Sequence, residues 1–396
     1  MNTCDIIGIS DGRKQWFAPE VMEAIKSGNV FSGGKRHHEI MAPLLPAKAV
    51  WIDIIVPLEK VFEQYEHYNH IVIFASGDPL FFGFANTVQR ECKGVAMRVF
   101  PSLNSLQMLA HRMCIAYHDM HVVSLTGRDW QKLDEALIQG EKMIGVLTDR
   151  NKTPHTIWQR MVDYGYTNYQ MTVGEHLGNE TSERVSHYDV SAVYTHPNCI
   201  ILQKTDERNR PFGIPDHEFT LLDGREKMIT KMPIRLLTLQ ALDLPRRHVL
   251  WDIGFCTGSV SIEARLQFPH LEIHAFEIRP ECEAIIRDNM RRHGAPGINI
   301  HMGDFLTVPL PAGERLPDAV FIGGHGGQLK AIMARVLRYL TPDGIIVMNS
   351  VVAPRVTTDS HRLWDEACSE LNLTQEPPLR IQINDYHPIT ILKCKR

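Results

Sequence analysis

The chain has 396 residues, a formal net charge of -4, 44% hydrophobic residues and 22% charged residues. That length exceeds one ordinary core and implies two domains, and the composition is that of a globular protein rather than a disordered or fibrous one. The acidic balance gives no general attraction to phosphate backbones, which argues against nucleic acid as a partner. No C-x-x-C pair occurs among the eight cysteines, so neither a zinc knuckle nor a disulfide framework is expected and a reducing cytoplasm is the simplest setting. The N-terminus, MNTCDIIGISDG, lacks the basic start and long apolar core of an export signal, and no run of about 18 apolar residues suggests a membrane span. Twenty histidines include His37 and His38, yet no H-E-x-x-H or H-x-x-E-H pattern appears, so no metal site is expected.

In chain order, short β-rich runs (DIIGI, AVWIDII, HIVIFA, MRVF, HVVSL, MIGVL, CIILQ) alternate with helical or loop segments up to about residue 204. This predicts an α/β domain over 1–204. The stretch 205–215, TDERNRPFGIP, is charged, proline-bearing and aperiodic, as a linker would be. Over 216–396 a helix around Ile234–Leu242 precedes a strand ending at Ile253. Strand-like LEIHAF, INIHM, DAVFIGG, GIIVMN and ITILK then follow, separated by helical ECEAIIRDNMRRH and QLKAIMARVLRYL. The pattern predicts a doubly wound α/β domain.

Two sets of loops carry the chemistry. In the second domain, VLWDIGFCTG (Val249–Gly258) is an apolar strand ending in an acid and a glycine-bearing turn, followed by helical SVSIEARLQF. This is how a Rossmann-type sheet presents a nucleotide-binding loop to a helix N-terminus. Glu277 lies 19 residues past Gly258, where an acid reaches the ribose hydroxyls of an adenosine ligand. The spacing is not G-x-G-x-x-G, because Gly254, Cys256 and Ser259 fill those places. It fits the D-x-G-x-G-x-G loop of S-adenosylmethionine (SAM) methyltransferases, with Cys256 for the middle glycine; by itself the motif leaves other Rossmann-like proteins open. In the first domain, Gly8–Gly12, Gly77-Asp78-Pro79, PSLNSLQ from Pro101 and LTGR from Leu125 are polar turns that each follow an apolar strand, which points to one crevice at the sheet edge. Arg128 in the last of these, and Lys35 and Arg36 in a further crevice-forming loop, suit an acidic ligand.

The first half resembles the tetrapyrrole methylase family, in particular the domain that methylates C5 of the corrin precursor in cobalamin synthesis. The resemblance rests on GGKRHHE (Gly33–Glu39), SGDPLFFG (Ser76–Gly83), PSLNSLQMLAHRM (Pro101–Met113), VVSLTGR (Val122–Arg128), LTDRNKTP (Leu147–Pro154) and GEHLGNETSERV (Gly174–Val185). The second half is similar to the partner domain of that pathway, which methylates C15 and removes the ring C acetate carboxyl. Its blocks are GIPDHEF (Gly213–Phe219), ITK (Ile229–Lys231), DIGFCTGSVSIEA (Asp252–Ala264), GDF (Gly303–Phe305) and PDAVFIGGHGG (Pro317–Gly327). The fused order is that of the two-domain precorrin C5,15-methyltransferases.

The resemblance implies a class III methyltransferase-like domain followed by a Rossmann-like class I SAM-dependent domain. It further implies SAM as cofactor, a carboxylate-rich tetrapyrrole as substrate and a homo-oligomer. In the first domain Gly8, Asp11, Gly77, Asp78, Pro79 and Ser105 would contact the cofactor. In the second, Thr230, Gly254, Phe255, Cys256, Thr257, Gly258, Glu277, Asp304 and Phe305 would do so. Gly324, His325 and Asn349 would meet the substrate, and His325 is the one candidate proton handler, with a loop-stabilising role as its alternative. Four departures stand out. Ser10, Asp11 and Gly12 alter the usual G-x-G-P-G opening; Cys256 and Pro233 replace a glycine and a glutamate; and NSVVAPR from Asn349 replaces a more usual N-A-V-T-L-E. A methyltransferase acting on RNA or protein, a relative with a weakened second domain and, more remotely, a nicotinamide oxidoreductase remain alternatives. Whether the substrate already carries cobalt is not written in the sequence.

Overall fold

The computed structural model describes residues 1–225, 228–310, 315–351, 360–384 and 387–396. Packing divides the chain into two compact units. The first comprises Met1–Asp129, Glu141–Trp158 and Asn168–Asp206, and the second Trp130–Gly140, Gln159–Thr167 and Glu207–Arg396.

The first unit contains two five-stranded sheets. One is wholly parallel, in the order β3-β2-β4-β1-β5, from β1 (Thr3–Ile9), β2 (Val30–Gly33), β3 (Val50–Asp53), β4 (His70–Ser76) and β5 (Ala96–Phe100). Its central strand β4 is buried on both faces. Ile71 and Ile73 join one apolar cluster and Val72 and Phe74 another, which is why the sequence runs HIVIFA without polar alternation. Each such side chain contributes about 1.5–3 kcal/mol by burial. The other sheet is mixed, in the order β6-β7-β10-β8-β9, from β6 (His121–Ser124), β7 (Met143–Leu147), β8 (Tyr169–Glu175), β9 (Arg184–His187) and β10 (Asn198–Lys204). Strands β2, β8 and β9 were not expected from the sequence. VFSG and RVSH are too short for a pattern, and YQMTVGE interleaves polar residues with apolar ones although all but Gln170 are buried.

The second unit is built on one eight-stranded sheet. Its strands are β11 (Val249–Ile253), β12 (Glu272–Glu277), β13 (Ile298–Met302), β14 (Ala319–Ile322), β15 (Ile345–Val351), β16 (Thr374–Gln375), β17 (Leu379–Ile381) and β18 (Ile389–Lys395). The order is β13-β12-β11-β14-β15-β18-β16, with β17 also on β18; β11–β15 are parallel and β18 is antiparallel. The strand order reverses between β11 and β14, the switch point outside whose carboxyl ends a doubly wound sheet places its ligand crevice. Of the helices outlined in the sequence, Met232–Ala241, Glu281–His293 and Leu329–Val336 form, and Lys35 and Arg36 begin a helix, Lys35–Met41, rather than lying in a loop. No described helix is long and apolar enough to cross a membrane.

Candidate active site

Each unit carries a cavity at the carboxyl edge of its parallel strands, and in the first unit Leu147, Gly174 and Cys199 of the mixed sheet also line it. In the first unit it has a volume of about 530 Å³, and its wall includes Asp11, Arg36, Gly77 and Ser105. Of the other expected residues, Gly8, Lys35, Asp78, Pro79 and Arg128 are not in that wall. Gly8 instead lies against the backbone of the wall residue Gly77, where a Cβ would stand 1.9 Å from the Gly77 carbonyl oxygen. Asp78 closes its turn by accepting the Leu80 N–H at 2.9 Å. Arg128 lies over the ring of Phe82, itself a wall residue, and donates to Ser124 Oγ at 2.7 Å. The loop that departs from G-x-G-P-G is tied down by other means: Gln15 donates to the Gly12 carbonyl at 2.6 Å, and the Glu180 carboxylate accepts the Arg13 and Lys14 N–H groups at 2.9 and 3.0 Å.

Asp11 anchors the polar side of this cavity. Its Oδ1 accepts from Arg36 Nη1 at 2.9 Å, and its Oδ2 pairs with His176 Nδ1 at 3.3 Å. Ser76 Oγ accepts from Arg36 Nη2 at 2.8 Å and meets His37 Nε2 at 2.9 Å. Because His37 Nδ1 accepts the Gly34 N–H at 3.2 Å, its proton lies on Nε2. Burial first, and then the charge of Arg36, lower the His37 pKa from 6.5 to about 4, so this imidazole is neutral near pH 7. The sequence draws attention to His37 only as one of a histidine pair without a metal pattern, and it does not single out His176. The only signal for His176 is structural, a φ of 47° in a residue with a Cβ, and such strain clusters at working sites.

The cavity of the second unit has a volume of about 690 Å³ and brings together Thr230, Gly254, Phe255, Cys256, Thr257, Glu277, Asp304, Phe305, Gly324, His325 and Asn349. Gly258 is not in its wall; it caps the helix Ser259–Gln267 at φ 74°, and a Cβ there would run into Ile286 at 2.4 Å. Gly254 permits close approach of the loops after β11 and β14, since its Cβ would lie 2.7 Å from the Gly324 nitrogen. Cys256 adopts φ 50° without being glycine. Burial pushes its thiol pKa up, and its N–H donates to Glu277 Oε2 at 2.9 Å.

Two acids define the electrostatics here. Burial, which outweighs the hydrogen bond from Ser261, pushes the Asp252 carboxyl up to about 7. Its Oδ2 accepts from Ser261 Oγ at 2.6 Å, while its buried Oδ1 has no partner. Burial acts on Glu277 in the same direction, but hydrogen bonds from the Arg279 side chain and from the Arg279 and Cys256 backbone prevail and hold it below the ordinary carboxylate range. His325 is lowered by burial and both its nitrogens are engaged: Nδ1 accepts the Gly327 N–H at 3.1 Å, and Nε2 meets Ser360 Oγ at 3.2 Å. Asn349 hydrogen-bonds Thr238 Oγ1. Val352–Arg355 of NSVVAPR lie outside the described residues. Lys231, Arg279, His387 and the apolar Ile381, Ile383 and Ile389 also line the cavity. Of these, Arg279 was legible in principle, two residues past the ribose-type acid.

The chain matches the model of the tetrapyrrole (corrin/porphyrin) methylases over residues 3–192 and that of the precorrin methyltransferase domain over 223–376. Over 183 residues it is 33% identical to a cobalt-precorrin-6B C(15)-methyltransferase (decarboxylating) of Salmonella typhi, covering 44% of this chain and 93% of that protein. The chain belongs to the precorrin methyltransferase family. Its likeness to a precorrin-6Y C(5,15)-methyltransferase [decarboxylating] of Sinorhizobium sp runs through both units, at 29% identity over 383 residues, 94% of this chain and 91% of the relative. The first half is 26% identical over 205 residues to a cobalt-precorrin-7 C(5)-methyltransferase of Salmonella typhimurium, covering 51% of this chain and 98% of that one. Family membership makes the chain a methyltransferase, and so implies a methyl donor. The second cavity fits one: it offers an orphan carboxylate oxygen at Asp252, an acid at Glu277, and open space over Gly324 and Gly326, where an added Cβ would meet nothing within 4 Å. Among the described residues no cluster of three or more His, Cys, Asp or Glu could hold a metal ion.

Proposed function

We propose that the chain methylates a corrin precursor twice and decarboxylates it once, with residues 1–204 serving C5 and residues 216–396 serving C15 and the ring C acetate. SAM is the donor in both. One observation carries this reading: each unit has its own cavity at the carboxyl edge of its parallel strands, in a chain similar to the two-reaction relative over 94% of its length.

When bound, SAM supplies an activated methyl group to an electron-rich ring carbon. The protein's part is alignment, since transfer needs the reacting atoms in line and no enzyme nucleophile. In the second unit Gly254–Thr257 shape the donor pocket, Glu277 receives the ribose hydroxyls, and Ile381, Ile383 and Ile389 give the macrocycle an apolar wall. The cations in that wall are Lys231, which pairs with Asp216 at 3.7 Å, and Arg279, which pairs with Glu277. A carboxylate held against the isoleucines loses solvation, which favours its departure as carbon dioxide. His325, with Nδ1 engaged by a backbone N–H, holds its proton on Nε2 and shapes the loop. In the first unit Arg36 and the neutral His37 face the substrate. The eight free cysteines fit a reducing cytoplasm.

The test is mass spectrometry of the product made by the whole chain from SAM and a dihydro precorrin-6 substrate. Two added methyl groups and one lost carboxyl are expected. A product with a single methyl and an intact carboxyl would take the second unit out of catalysis.

A further inference from the structure

Glu277 is already saturated. Its Oε1 accepts the Ile278 N–H at 3.0 Å, the Arg279 N–H at 3.1 Å and Arg279 Nε at 2.9 Å, while its Oε2 accepts the Cys256 N–H at 2.9 Å and Arg279 Nη2 at 2.7 Å. A carboxylate offers about four lone-pair sites, so no edge is left for a vicinal diol. The three backbone donors are fixed by the loop after β11 and the end of β12. The guanidinium is the movable one, with a side chain 33% exposed against 2% for Glu277. It grips the acid with the same two-pronged donor geometry that a ribose diol would use.

When a diol takes that edge, the displaced guanidinium remains at the wall of a cavity that Arg279 itself lines, within reach of an anionic ligand there. We infer that Arg279 is a relay between two ligands: it closes the diol-binding edge of Glu277 while the donor is absent, and turns to a carboxylate arm of the tetrapyrrole once the donor has displaced it. The inference rests on the assignment of Glu277 to the ribose of SAM. It makes donor and substrate binding mutually favourable, because each ligand lowers the cost of moving the same side chain.

Calorimetry on the whole chain tests this, with S-adenosylhomocysteine as probe of the donor sites and uroporphyrin, a stable tetrapyrrole with acetate and propionate arms, as probe of the substrate site. Glu277→Ala identifies the donor site of the second unit by abolishing its share of the binding; unchanged binding there would refute the ribose assignment itself. With that site identified, Arg279→Met is expected to tighten it by ~3- to 10-fold, as removal of a competing closed state allows. It should also weaken uroporphyrin by ~10-fold or more, the scale of one charge-assisted contact, and abolish the tightening of uroporphyrin by the donor product. Arg279→Lys, which cannot span both oxygens, should also tighten the donor while retaining part of the porphyrin affinity. Donor binding weakened by both substitutions would make Arg279 a support of Glu277 and overturn the relay, as would uroporphyrin affinity that remains coupled to the donor in Arg279→Met.

Discussion

The end of β1 and the loop after β4 in the first unit meet backbone against backbone, with a Cβ on Gly8 only 1.9 Å from the Gly77 carbonyl oxygen. The loop after β11 in the second unit is also close-packed at Gly254, where a Cβ would lie 2.7 Å from the Gly324 nitrogen, yet two residues on it admits a cysteine at φ 50°. Both cavities are lined by glycine turns, so the contrast separates two reasons for glycine. Where two main chains touch, the absent Cβ is a matter of volume and nothing can replace it. Where only a left-handed turn is required, a side chain with somewhere to go is tolerated at a cost of about 1–2 kcal/mol. The acids differ in parallel. Asp11 is held by side chains from distant segments, Arg36 and His176, whereas Glu277 is held by groups within its own turn and the neighbouring loop.

The largest effect should come from Gly8→Ala. The new methyl would displace the Gly77 carbonyl, which accepts the Ser102 N–H at 3.2 Å, and so shift two walls of the first cavity together. C5 methylation is expected to fall by ~100-fold or more, the scale of an ångström-level misplacement of a reactant, while C15 methylation and decarboxylation continue. Product mass separates the two. Equal loss of both methyl groups would mean that the units do not work as separate sites.

A smaller effect, confined to the first unit, should follow from His37. Its pKa falls from 6.5 to about 4 on folding, so between those values the folded form binds fewer protons than the unfolded one. Stability conferred by the neutral ring is therefore complete above pH 6.5 and is lost as pH falls toward 4. His37→Gln, which can still donate to Ser76, should flatten that dependence in the unfolding transition of the first unit and leave the second unit unchanged. An identical acid slope in the variant would show that other groups set it.

The comparison also explains what could be read in advance. Strands buried on both faces announce themselves as apolar runs, as HIVIFA and VLWDI do, and the turn after each carries its glycine and acid in sequence order. The second site was legible to that extent: eleven of its expected residues stand in one cavity wall. Strand β8 was not, because its residues are buried among partners remote in sequence and need no aliphatic run. His176 and Arg36 meet Asp11 from segments 165 and 25 residues away, and no local spacing encodes such a meeting. Arg279 was written beside Glu277 but looks like any charged turn residue until its five-bond partner is seen.

The finest test of the contrast lies at Cys256. If the turn there demands a positive φ and little else, then glycine should be easier to place than alanine, since both lose the thiol but only alanine keeps the strained conformation. Cys256→Gly is expected to be more stable than Cys256→Ala by about 1 kcal/mol, the left-handed penalty less the extra entropy glycine loses on folding, read from the unfolding transition of the second unit. Cys256 is buried and packs in the apolar cluster that holds Cys282 and Ile286, so Cys256→Gly should bind S-adenosylhomocysteine within about threefold of the parent, a shift well under 1 kcal/mol. A glycine variant that bound tenfold tighter would mean that the Cβ does crowd the donor and that the turn, like Gly8, is governed by volume after all.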